Sequence, residues 1–263
     1  MGTQRRSRKW EINDVEETEE TLTGRAGLAP YVAYLKSRGV PDMLAEQFGD
    51  LRKSSKGIGL WEAFKQMLCF FMDGSNLSMS QFDQLAEDEG YASTIETPQE
   101  DMASSHQMKR LLGKFDVSLF ARFRSLLRRM FRWRLQAEEP EVVLLNVDTM
   151  VMDNDDAQQR EGVEPTYKKV KGFQPLQFSW GPYLADAILR GGSKHGNCGT
   201  TVASTLSRLI RLIRDVLGPR TPIVVLMDAG FMDEGIFSRL EDLGVGYVAT
   251  GKLYDEVCEC AEG

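Results

Sequence analysis

A continuous apolar run that ends in a carboxylate is the feature that most constrains the fold of this chain. The run is Glu141–Asp148 (EVVLLNVD), rich in aliphatic and β-branched residues. Runs of this length beside turn signals are typical of strands buried on both faces. A second run of the same design, Ile223–Asp228, is followed by Ala229 and Gly230. Together the two runs predict a sheet in which two strands each carry an aspartate to one edge.

The two strand-terminal aspartates, Asp148 and Asp228, are the candidate catalytic and metal-binding residues. Ligand sites of α/β sheets gather at the carboxyl ends of strands. Two neighbouring carboxylates repel each other at neutral pH unless a cation lies between them, so Mg²⁺ or Mn²⁺ is the expected cofactor. Alternatively, each aspartate only caps the turn that follows it. The repetition of the design favours the shared metal site.

The chain changes character at Glu138–Pro140, since helical patterns precede this point and strands follow it. Near the N-terminus, the spacing of Trp61, Phe64, Leu68 and Phe71 predicts one apolar face of a helix. The domains expected are a mobile arm over 1–26, a helical domain over 27–140, and an α/β domain over 141–263. The strand and helix order of the last part predicts a mixed sheet with helical crossovers.

An arginine-rich helix is predicted from Asp116, as N-cap, to about Gln136. Arginine is the usual bidentate donor to phosphate, so this helix could follow a DNA backbone. The other interpretation is a solvated outer face of a core helix, in which arginine stems cover apolar surface. The residues predicted to bind DNA are Arg122, Arg124, Arg128, Arg129 and Arg132.

Composition excludes several classes of protein. Hydrophobic residues make up 42% of the 263 residues, and no apolar run approaches the roughly 18 residues that span a membrane. The basic N-terminus lacks the apolar segment of a signal peptide, so a cytoplasmic protein with reduced cysteines is expected. The net charge of −7 argues against a uniformly basic nucleic-acid coat but allows local basic faces. With only two histidines, an imidazole-based metal site or triad has little material.

Several short motifs, taken in order, resemble those of DDE transposases of the insertion-sequence type. The similarity is to the IS4-like superfamily, and within it to the IS1380-like group, and runs from about Gly27 to Lys252. Asn146–Val151 and Leu226–Glu234 resemble the first and second acidic motifs. The other matching segments are the loop Arg190–Asn197, the strand Gly244–Lys252 and the helical region Phe71–Tyr91.

This resemblance implies an RNase H-like catalytic domain, present here in incomplete form over 141–263. It also implies that the α-helical N-terminal domain over 27–140 serves DNA binding and dimerisation. The implied reaction is cleavage of DNA at transposon ends by water, followed by strand transfer by the freed 3′-hydroxyl. Asp148 and Asp228 would be metal ligands, not nucleophiles. The implied partners are double-stranded DNA at terminal inverted repeats and a second copy of the chain in a homodimer, with no membrane. A DNA-binding protein of this kind would be nucleoid-associated.

The chain departs from the family pattern in its third acidic residue. The expected glutamate on a late helix has no counterpart. Glu234 comes directly after the aspartates of the second motif, and three later glutamates come too early: Glu256, Glu259 and Glu262. A C-terminally truncated transposase is therefore expected, and whether it is an active enzyme stays open. An alternative is a non-catalytic DNA-binding fragment that modulates a full-length transposase. A phosphatase of the aspartyl-phosphate kind is disfavoured because Met150 stands where a second aspartate is needed.

Overall fold

A computed structural model of the chain describes residues 23–51, 56–74, 78–156, 160–194 and 200–251. Most of the predicted mobile arm, up to residue 22, lies outside these residues, as do the end of the Arg190–Asn197 loop and the three later glutamates. The helices are α1 (Leu28–Ser37), α2 (Val40–Phe48), α3 (Leu60–Asp73), α4 (Gln81–Leu85), α5 (Glu89–Thr94), α6 (Ser105–Leu112), α7 (Val117–Glu138), α8 (Thr201–Leu217) and α9 (Glu234–Asp242). The strands are β1 (Val143–Thr149), β2 (Met152–Asp153), β3 (Glu164–Pro165), β4 (Lys171–Phe173), β5 (Leu176–Trp180), β6 (Tyr183–Ile188), β7 (Ile223–Met227) and β8 (Gly246–Ala249).

Five of the strands form one mixed sheet in the order β6-β5-β1-β7-β8. Strand β1 is parallel to β7 and β7 to β8, whereas β5 is antiparallel to both of its neighbours. Helix α8 connects β6 to β7, and α9 connects β7 to β8, as is usual for crossovers between parallel strands. This confirms the predicted fold class at the level of its architecture, a mixed α/β sheet preceded by an α-helical N-terminal region.

The chain divides into two compact units, Met1–Phe115 and Asp116–Gly263. The first has a helical core that includes Phe70, Phe82 and Tyr91. The second contains the five-stranded sheet together with α7, α8 and α9. Helix α7 thus packs with the sheet. The prediction that residues up to 140 form one functional domain and residues 141–263 another stays a prediction.

The described helices of the second unit pack against one face of the sheet. Strand β1 contributes its alternate residues Val143, Leu145 and Val147 to the core, where all three are buried. On the other face Leu144 is 47% exposed and Val248 is 59% exposed. The prediction that the carboxylate-tipped strands are buried on both faces was therefore wrong. An apolar sequence run does not reveal which face a helix covers.

The helices can be compared with the length and hydrophobicity that a membrane span requires. Among those in the described ranges, none combines the length and apolar character needed to cross a bilayer.

Candidate functional site

The register of β1 and β7 brings the two predicted carboxylates to neighbouring positions. Val147 pairs with Met227 in this parallel ladder, so Asp148 and Asp228 occupy the next position of each strand. Adjacent strands lie about 4.8 Å apart. Because Val147 and Met227 both point into the core, the pleat turns the two aspartates to the opposite, exposed face.

Each aspartate is held by one local hydrogen bond to its own turn. The Thr149 backbone N–H donates to Asp148 Oδ1 over 2.7 Å, and the Gly230 N–H donates to Asp228 Oδ1 over 2.9 Å. A Cβ atom at Gly230 would stand 3.0 Å from Asp228 Oδ1, so the turn favours glycine there. In the part of the chain that the structure describes, no group donates a hydrogen bond to either Oδ2 atom. These oxygens are available to a ligand.

The donor set fits a hard divalent cation but does not complete a site for one. Two carboxylates supply the oxygen ligands that Mg²⁺ and Mn²⁺ take. Within the described ranges, no group of three or more histidine, cysteine, aspartate or glutamate side chains could hold a metal ion. The pair therefore offers two protein ligands, and the remaining positions would fall to water, substrate or residues outside this part of the chain.

Strand β5 adds a polar residue that the sequence prediction missed. Gln177 pairs with Asp148 in the antiparallel ladder and so lies on the same face of the sheet. Its side-chain nitrogen lies 2.7 Å from the sulfur of Met150. No motif marks Gln177 in the sequence, because its proximity to Asp148 arises only from strand pairing.

The five arginines predicted to bind DNA lie in different environments on α7. Arg124 forms a bidentate pair with Asp186, with Nε–Oδ1 and Nη2–Oδ2 distances of 2.8 Å, and Arg128 Nη1 lies 3.0 Å from the same Oδ2. Asp186 is fully buried. Arg129 lies over the ring of Trp133, 5.8 Å from its centroid. The two remaining residues, Arg122 and Arg132, are half-buried on the same helix.

Comparison with known proteins supports one family. The family model described as "Transposase DDE domain group 1" matches residues 15–255. No curated protein matches the chain. Among solved structures, a piggyBac transposase synaptic complex with hairpin DNA is similar at 14% identity and a TM-score of 0.38, over 84% of this chain and 49% of that one. The chain thus spans about half the length of that transposase.

Two Mos1 mariner paired-end complexes are also similar. The complex with Mn matches at 10% identity and a TM-score of 0.29, covering 92% of this chain and 90% of that one. The complex with Mg matches at 11% identity and a TM-score of 0.25, covering 90% and 88%. At such scores these likenesses carry no weight for the assignment, which rests on the family match over most of the sequence. The chain belongs to the DDE transposase family.

Proposed function

We propose that this chain acts as a DDE-type DNA transposase, which cleaves and joins DNA strands at insertion-sequence ends by metal-assisted phosphoryl transfer. Asp148 and Asp228 are the metal ligands in this proposal, and Mg²⁺ or Mn²⁺ is the cofactor. The observation that carries it is the β1–β7 register, which sets both carboxylates on one exposed face. Membership of the IS1380-like group is a finer part of the same proposal.

The residues of the chain prepare the site for a cation and for DNA. The backbone N–H groups of Thr149 and Gly230 fix one oxygen of each carboxylate, which leaves the other oxygen for a shared ligand. Both side chains are exposed, so a DNA strand can approach them. A divalent cation at such a site stabilises the charge that develops on phosphoryl oxygens and favours deprotonation of an attacking hydroxyl or water.

The proposed partner is double-stranded DNA at terminal inverted repeats, bound by a homodimer in the nucleoid. Asp186 holds Arg124 and Arg128, so we assign these two residues to fixing α7 on the sheet. Arg122, Arg129 and Arg132 are the α7 residues proposed to contact phosphate.

A second candidate function is a non-catalytic DNA-binding protein that modulates a complete transposase. It is favoured by one observation: in the described residues the carboxylate pair has no third metal-binding side chain beside it. The two functions share DNA binding and differ in strand cleavage.

Nicking of a plasmid that carries the inverted repeats separates the two functions. We expect Mn²⁺-dependent nicking by the unmodified chain, and at least ~100-fold slower nicking by Asp148→Asn and Asp228→Asn, since each removes a ligand that acts on the transition state. Asp215→Asn, which alters an exposed carboxylate at the far end of α8, is the matched control. DNA binding without nicking would support the modulator, and nicking that survives both substitutions would contradict the metal site.

A further inference from the structure

A groove between α8 and α9 is lined by arginine and hydroxyl side chains. Its volume is about 490 Å³, and its walls come from the first three turns of α8 and the start of α9. The polar groups that line it are Arg208, Arg211, Arg239, Thr200, Ser204 and Ser207. No carboxylate belongs to the described lining. In a chain with a net charge of −7, three cations facing one groove form a local positive site.

The arginines are arranged to bind a ligand in the groove. Arg208 and Arg211 are three positions apart on α8, which places them on one face of the helix, and both are exposed. Arg239 reaches across from α9, where its Nε donates to Ser207 Oγ over 2.9 Å. Ser207 is itself buried and donates to the Ala203 carbonyl over 2.8 Å, so Arg239 is anchored on a fixed group.

The two helices begin at the same end of the sheet as the carboxylate pair. Helix α9 begins at Glu234, shortly after Asp228, and α8 begins after β6, whose last residue Ile188 pairs with Leu176. Leu176 in turn pairs with Thr149, next to Asp148. Both helices therefore direct their N-termini, where backbone N–H groups attract anions, toward this end.

We propose that this groove binds the phosphodiester backbone of duplex DNA at a site separate from the two carboxylates. Guanidinium groups form bidentate hydrogen bonds with phosphate oxygens, and hydroxyl groups add neutral donors. A backbone held here lies on the helix-covered side of the sheet, toward the end that carries Asp148 and Asp228. The inference rests on the proposed function, because it assigns a second contact to the same substrate.

Salt-dependent DNA binding tests the groove without any catalytic step. The affinity of the unmodified chain for a duplex of about three helical turns and arbitrary sequence is measured by fluorescence anisotropy in EDTA, over the salt range of roughly 50 to 200 mM. Each phosphate contact contributes about 0.9 to the slope of log affinity against log salt. For the double variant Arg208→Ala/Arg211→Ala we expect a slope shallower by about 2, so that the affinity lost across this salt range shrinks by roughly tenfold.

Two controls keep the result specific. Arg220→Ala removes an exposed arginine beyond the other end of α8 and should leave the slope unchanged. Because Arg208 and Arg211 are exposed, the double variant should keep its circular dichroism spectrum and melting temperature. An equal change of slope in the double variant and in Arg220→Ala would overturn the proposal.

The remaining outcomes separate this inference from the proposed function. An unchanged slope in the double variant would overturn the groove and leave the carboxylate site standing. A second result would also overturn the groove as a DNA site and leave the carboxylate site standing. In that result, inorganic phosphate raises the melting temperature of the unmodified chain but not of the double variant, while both proteins show the same salt slope of DNA binding. Absence of DNA binding by the unmodified chain would overturn both proposals. Retention of the slope by Asp148→Asn would support the groove as a separate contact.

Discussion

Asp186 is a buried carboxylate that two arginines of α7 neutralise. It lies on the core face of β6, opposite Phe178 of β5, and its side chain is fully buried. Arg124 and Arg128, whose side chains are 23% and 20% exposed, donate to it, and Arg124 Nη2 also lies 3.4 Å from Thr205 Oγ1 of α8. A buried charge needs such pairing because its desolvation is costly. The cluster therefore joins helix α7, strand β6 and helix α8.

Replacing Asp186 should destabilise the second unit strongly. Asp186→Ala leaves two guanidinium groups half-buried with no counter-charge, and we expect the free energy of unfolding to fall by about 3 kcal/mol. Arg128→Ala should cost less, since the bidentate Arg124 pair remains. Urea denaturation followed by circular dichroism measures both values. The exposed control Asp215→Ala should stay within about 0.5 kcal/mol of the parent, and a similar loss there would contradict the argument.

Cys69 makes the helical unit sensitive to alkali. Burial raises the pKa of this thiol to about 11, from an ordinary value of 9.0. A raised pKa favours the neutral form in the folded state, so its contribution is complete below the ordinary value and is lost as the pH rises toward the folded value.

We expect the free energy of unfolding to fall less in Cys69→Ala than in the parent as the pH rises from about 8.5 to about 10.5. The difference is the part of the fall that comes from the Cys69 thiol. Urea midpoints at both pH values measure this difference. Burial also raises the pKa of Tyr91 and Tyr31, so both proteins should retain some alkaline loss. Parallel pH profiles for parent and variant would contradict the role of the thiol.

At the scale of the element, local signals predicted α7 well and α3 only in part. The N-cap expected at Asp116 is present, since its Oδ1 accepts from the Ser118 and Leu119 N–H groups, and α7 extends to Glu138. Helix capping and hydrophobic periodicity depend on residues close together in the chain, so both can be recognised from the sequence alone. In α3, however, Phe71 of the predicted apolar face is 60% exposed.

Distant polar partners explain the different face of α3. Lys65 is buried because its Nζ reaches Glu62 and the Glu96 carbonyl. Gln66 is also buried, and its amide donates to the Asp101 carbonyl and accepts from the Ala103 N–H. Most of these partners are far from α3 in sequence, so a helical pattern of hydrophobicity could not reveal them.

The Asp116 cap should make the start of α7 sensitive to acid. Hydrogen bonds, first that from the Ser118 side chain and then that from the Leu119 N–H, lower the pKa of Asp116. A lowered pKa stabilises the fold at pH values above the pKa of the unfolded state, about 3.9. This contribution is lost as the pH falls through the pKa of the folded state. Asp116→Asn keeps a capping side chain but cannot titrate.

We therefore expect the melting temperature of Asp116→Asn to depend less on pH, between about 5 and about 3, than that of the parent. Asp116→Ala should melt lower at neutral pH because the cap itself is lost. Thermal melts at a series of pH values measure both effects. Asp215→Asn, a substitution outside any cap, serves as the control, and a change in pH dependence as large as that of Asp116→Asn would contradict the assignment.

At the scale of the whole molecule, the sequence predicted the carboxylates but could not predict their register. Asp148 and Asp228 were singled out because each ends an apolar run, and β1 and β7 do lie side by side in parallel. Their alignment at one level depends on how β5, α8 and the loops fit together, which is a property of the complete sheet. The same holds for the α8–α9 groove, whose arginines come from separate helices.

Because the two aspartates meet only in the folded sheet, metal binding should stabilise the whole second unit. A ligand that binds the folded state alone adds about 2.7 kcal/mol at a concentration roughly 100 times its dissociation constant. We expect Mn²⁺ to raise the urea midpoint of the unmodified chain with this concentration dependence, and to have little effect on Asp148→Asn/Asp228→Asn. The measurement needs no DNA and no turnover, so it tests the proposed ligands directly.

The same two substitutions should also change the metal-free protein. Neutralising both carboxylates removes their mutual repulsion, so the double variant should melt slightly higher than the parent in EDTA at low salt, and the difference should shrink as salt screens the charges. Asp215→Asn should reproduce neither effect, because its carboxylate lies at the other end of α8. An equal Mn²⁺ response in the double variant would place the cation elsewhere in the chain, and the carboxyl ends of β1 and β7 would then have no role in binding it.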